Sequence, residues 1–143
     1  MDRRLTWLTT VGLALVVGVG VVKANEKPTP EHVAAMKAFN SMNQKLRPLM
    51  AAETKDLAAL GALAAEWKPH AETIAKFWGP RNAEVGTKTS SDVLKAVNDL
   101  TAATKAGDAA AATAAAGVIS NSCRTCHTAH RTERLPDGTY EIK

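Results

Sequence analysis

The chain has 143 residues, 18 basic and 14 acidic side chains, a formal charge of +4 and two cysteines. That length is enough for one domain after an export leader, and the charge forms no basic stripe of the kind a nucleic-acid surface needs. No Ser/His/Asp set, paired-carboxylate pocket or phosphate loop is visible, so no enzyme activity is expected.

The N-terminus is written as a leader. Arg3 and Arg4 precede residues 5–22, an apolar run without a charge, and Val22-Lys23-Ala24 resembles an A-x-A cleavage site. The pattern predicts a signal peptide over residues 1–24 and, for a bacterial chain, a periplasmic destination. The alternative is an uncleaved anchor, since about 18 apolar residues is near the lower limit for spanning a bilayer. Glycines at 12, 18 and 20 favour cleavage, and no cysteine sits at the cut to carry a lipid. Cleavage leaves residues 25–143, with 15 basic and 13 acidic side chains once Arg3, Arg4, Lys23 and Asp2 are gone. The high overall pI is thus partly a property of the leader.

After a polar lead-in, Thr29-Pro30-Glu31 is an N-cap, a helical N1 and a first-turn acid, so helix A is predicted over about 30–46. Its apolar positions include Val33, Met36, Phe39 and Leu46, and Arg47-Pro48 is expected to end it. Helix B is predicted from about Thr54 to Trp67, with Leu57, Leu60, Leu63, Ala64 and Trp67 on one stripe. Lys68-Pro69 should break or kink it, a further turn or two should follow through Trp78, and Gly79-Pro80 should stop that segment. Residues 81–89 read as a polar loop. Ser90 or Ser91 should cap helix C over about 92–105, with Val93, Leu94, Val97 and Leu100 inward. Gly107 ends it and Asp108 caps helix D, which begins alanine-rich and is favoured as a helix on alanine's propensity. The tail after Arg134 carries an Asp137-Gly138 turn, with Tyr140 and Ile142 expected to lie extended against the helices. Four helices and short connections predict an all-α antiparallel four-helix bundle.

Cys123-Arg124-Thr125-Cys126-His127 carries the chemistry. C-x-x-C-H is the attachment signature of a c-type haem. On a helix, positions i, i+3 and i+4 share one face, so both thiols and the imidazole meet the same neighbour. Two thioether bonds and an axial nitrogen from one face hold one haem c per chain, and His127 is the expected axial ligand. A redox dithiol would want a strand-to-helix context that lowers a thiol pKa, and a structural zinc site would want four ligands. Only two phenylalanines and, past the leader, two tryptophans supply aromatic bulk. A haem would therefore fill much of the core, and the apo chain should fold poorly.

A C-x-x-C-H on the last helix of an exported four-helix chain resembles the class II cytochromes c, the cytochrome c′ and cytochrome c-556 family. The resemblance covers roughly residues 30–131. Beyond the haem motif it rests on Arg131, four residues after His127, and on the run His32 to Phe39, similar to the family's R-x-x-x-[M/L]-K-A. His32 departs from the family arginine, and the tail after Arg134 exceeds the family pattern. The resemblance implies that Met36 is the sixth iron ligand, giving a low-spin His/Met centre that carries electrons to and from redox partner proteins. It also implies a propionate contact from Arg131 and a homodimer through helices A and B. The alternative it holds open is a five-coordinate cytochrome c′ that binds NO or CO, with Met36 not ligated. Rival sixth ligands are His32, Met42 on roughly the other face of helix A, Met50 in the A–B loop and His70. His130 and Arg124 read as surface or propionate-side residues.

Overall fold

Thr29 starts the first helix as its sequence predicts, its side chain accepting a hydrogen bond from the His32 N–H with Pro30 at N1. In the computed structural model, which describes residues 25–143, that helix is α1, Pro30–Ala51. It is followed by α2, Leu57–Trp78, α3, Glu84–Ala106, and α4, Ala109–His130. The expected leader lies outside the described residues. Among the described residues there is no strand beyond isolated bridges of the tail, and no helix is long and apolar enough to cross a membrane.

The helices pack against each other in chain order. α2 lies between α1 and α3, α3 lies between α2 and α4, and the short connections make successive helices antiparallel. α1 and α4 meet only sparsely. The sealed interior is built from Leu46, Leu60, Trp67, Val97, Leu100 and Ile119, all without appreciable solvent exposure. Each such side chain contributes about 1.5–3 kcal/mol relative to exposure. On α4 the stripe facing them is Ala112, Ala115, Ala116 and Ile119, so small side chains let α3 and α4 approach closely.

Three elements differ from expectation. α1 runs through Pro48 to Ala51 and α2 runs through Pro69 without a break. Both prolines are exposed, and so are Gln44 and Ala65, the residues whose carbonyls lose a helical donor. An exposed turn leaves such a carbonyl open to water, while in α2 the buried stripe continues through Trp67 and Ala71 and holds the helix in register. Met50 is consequently in the last turn of α1, not a loop, and Lys55 returns its ammonium to the Met50 carbonyl at 2.8 Å and to that of Ala52. Met42 is buried on the core stripe of α1.

α3 starts at Glu84, so most of the expected loop is helix and Ser90 is a buried interior residue whose hydroxyl donates to the Thr87 carbonyl. The cause is Trp78. A Cβ at Gly86 would stand 2.4 Å from its ring, so only glycine lets α3 begin this close to the end of α2. The α3–α4 corner follows the sequence. Gly107 takes φ 72° and the Asp108 carboxylate accepts from the Ala111 N–H at 2.9 Å.

The tail lies extended, as expected. Ile142 exchanges two backbone hydrogen bonds of 2.8 Å with Glu26 and bridges to Arg131. It closes the N-terminal lead-in onto the end of α4.

Candidate functional site

The buried stripe of α4 does not end at Ile119. One turn on, at the same helical spacing, come Ser122, Cys123, Cys126 and His127, and there the stripe leaves the core and faces a cleft between α4 and α1. The cleft holds about 270 Å³. Its far wall is Met36, Phe39, Asn40 and Asn43 of α1, and its floor is Ile74 of α2 with Thr89, Ser90 and Val93 of α3. Arg131 stands at its end, the first residue after α4. One turn before Cys123, the Ser120 hydroxyl donates to the Asn43 side-chain oxygen at 3.1 Å and joins α1 to α4.

The structure thus brings Cys123, Cys126, His127, Met36 and Arg131 to one cavity. It separates the rivals. His32 does not line the cleft; its ring stacks on Phe77 at 3.9 Å, 6% exposed. Met42 is in the core, Met50 packs at the far end of α1, and His70 is half-buried on α2 away from the cleft. Arg124 is exposed. His130 is not a surface residue. It is half-buried with its ring 4.6 Å from Trp78 and its Nε2 buried without a partner.

Burial sets the electrostatics. Both cysteines are free thiols, and burial pushes Cys126 up to about 11 and moves Cys123 in the same direction. The Cys123 thiol points back at the Ile119 carbonyl, 3.7 Å away. Neither is an activated thiolate, which a disulfide-exchange enzyme would need at neutral pH. Burial first, and the Arg131 charge second, lower the pKa of His127, so its imidazole is neutral and keeps a lone pair free. Among the described residues no three His, Cys, Asp or Glu side chains converge as an ion-binding group.

These residues fit a haem. Two thiols and a neutral imidazole project from one helix face, a thioether sulfur stands on the opposite wall, and Phe39, Ile74 and Val93 give apolar sides that a flat ring would cover. The sequence did not point to Asn43, Thr89 or Ser90 as wall residues. For Thr89 and Ser90 the signal was available in the spacing: Gly86, Thr89, Ser90, Val93, Ala96, Val97 and Leu100 form one stripe once small and hydroxyl side chains count as inward. Compared with models of known protein families, with curated proteins and with solved structures, the chain has no match.

Proposed function

We propose that this chain is an exported c-type cytochrome of the class II kind, a carrier of single electrons between redox partner proteins through one covalently held haem c. One observation carries this reading. Cys123, Cys126 and His127 on one face of α4, and Met36 on α1, line the same cleft, where the packing of the helices is otherwise incomplete. Bound there, the haem supplies an iron that takes up and releases one electron. Cys123 and Cys126 hold it through thioether bonds, and His127, kept neutral by burial, is its ligand on the α4 side. Met36 is the ligand on the α1 side. Phe39, Ile74 and Val93 would cover apolar parts of the ring, and a methionine ligand favours the reduced state and a raised potential. Arg131 offsets the negative charge of the propionates at the rim. The leader directs the chain to the periplasm, with membrane attachment only if it is retained.

An optical spectrum of the pure protein tests this. Low-spin ferric iron with the weak red-edge sulfur charge-transfer band is expected. Met36→Leu should convert the iron to high spin, lower the potential and open the α1 side to CO. A wild-type protein that is already high-spin and takes CO at once would instead favour gas binding of the cytochrome c′ type.

A further inference from the structure

Arg131 lies at the cleft rim and is exposed, and a solvated arginine there would sample many rotamers. In this chain it does not stand alone. Its guanidinium carbon is 4.2 Å from the centre of the Tyr140 ring. The backbone behind that ring is fixed at both ends. The Thr132 N–H donates to the Glu141 carbonyl at 2.9 Å, the Glu141 N–H returns a bond to the Thr132 hydroxyl at 2.9 Å, and the Lys143 N–H donates to the His130 carbonyl at 2.9 Å. Ile142 is paired on both backbone groups with Glu26, whose carboxylate takes the Arg81 guanidinium at 2.6 Å. The Leu135–Gly138 turn returns the chain to this position. Among the described residues Arg131 forms no ion pair, so its charge is held in place by an aromatic face and left open to a ligand.

We propose that Tyr140 is a positioning residue, and the segment 132–143 its support: the ring holds the Arg131 guanidinium at the cleft mouth, where it pairs with a carboxylate of the bound haem. The inference rests on the haem reading above and goes beyond it, since it gives the C-terminal extension a part in the site. The physical basis is the attraction of a guanidinium to a ring face, together with the rotamer freedom that stacking removes before the ion pair forms. A cation held at the cleft mouth would disfavour the more positive, oxidised state of a bound haem and so raise its potential.

The test is a double-mutant cycle read on the potential of the isolated holoprotein. Arg131→Gln should lower the potential, and Tyr140→Leu should lower it in the same direction by a smaller amount. Tyr140→Phe, which keeps the ring, should restore the wild-type value. Arg131→Gln with Tyr140→Leu should match Arg131→Gln alone, because Tyr140 acts only through Arg131. A Tyr140→Leu protein with the wild-type potential would overturn the proposal, and so would full additivity of the two changes. An Arg131→Gln protein altered in its reaction with an acidic partner protein but not in its potential would assign Arg131 to docking and also overturn it. A second readout does not need haem. Arg131 side-chain NMR signals should carry an upfield ring-current shift that Tyr140→Leu abolishes and Tyr140→Phe keeps, and an unshifted wild-type signal contradicts the stacking. Absence of covalent haem would defeat the reading of the preceding subsection while leaving this shift in place.

Discussion

The two halves of α4 carry one stripe and meet opposite fates. In the first half Ala112, Ala115, Ala116 and Ile119 are at most 7% exposed, pressed against α3 and the core. In the second half Ser122, Cys123, Cys126 and His127 continue the same spacing, yet none of them is fully buried. Helix geometry cannot explain the difference, because the periodicity is unbroken. The neighbour explains it. The first half has α3 against it, whereas the second half faces α1 across a cleft that Met36 and Phe39 line but do not fill. Amphipathicity thus tells which residues face inward and is silent on whether protein or something else fills the space opposite.

The sharpest way to break the comparison is to deny the second half its filler. A filler in the cleft would take the apolar surface of Phe39, Ile74 and Val93 from water, at about 25 cal/mol per Å² buried. The double variant Cys123→Ala with Cys126→Ala, made without haem, should lose most of its cooperative thermal transition. A sharp melt near the holoprotein temperature would show that the cleft needs no filler.

Next in size is a change on the sealed side. Trp67→Ala, at a fully buried ring packed 6.0 Å from Phe39, should cost about 3–5 kcal/mol in denaturant unfolding. Ser122→Ala on the cleft wall should stay within about 0.5 kcal/mol, since its hydroxyl only returns to the Val118 carbonyl one turn back. Equal costs at the two positions would erase the distinction between the sealed core and the cleft wall.

A smaller effect is expected where the start of α1 meets the ends of α2 and α4. His32 is pushed down from 6.5 to about 4, chiefly by burial, with the Arg81 charge and then His127 adding to it. The unfolded imidazole binds its proton near pH 6.5 and the folded one only near pH 4. Between those values the unfolded state holds more protons. The stability His32 contributes is therefore complete above pH 6.5 and drains away as the pH falls toward 4, by at most about 3 kcal/mol. His32→Phe should flatten that slope in urea titrations across the window, and an unchanged slope would remove His32 as its source.

The sequence made local signals legible and left the tertiary ones hidden. Thr29-Pro30, Gly107 and Asp108 were read correctly because a cap is decided by its own few residues. The prolines at 48 and 69 misled because their penalty depends on which side of the helix faces water. The start of α3 was missed because Gly86, Thr89 and Ser90 resemble a loop until Trp78 is laid over them. At the site, helical spacing alone placed Cys123, Cys126 and His127 on one face, and the family resemblance singled out Met36, which does line the opposite wall. The cluster of His32, Phe77, Trp78 and His130 was not legible. It forms only where the start of α1 and the ends of α2 and α4 meet, and no local pattern encodes that meeting.

The central claim is that Cys123, Cys126 and His127 hold one haem covalently in the α1–α4 cleft. Acid denaturation of the purified protein followed by extraction into organic solvent addresses it directly. The account predicts that the colour stays with the protein, one haem per chain, and that changing both Cys123 and Cys126 releases it. Haem passing into the organic phase, or a colourless protein with two titratable thiols after export from a cell that makes haem c, would contradict it.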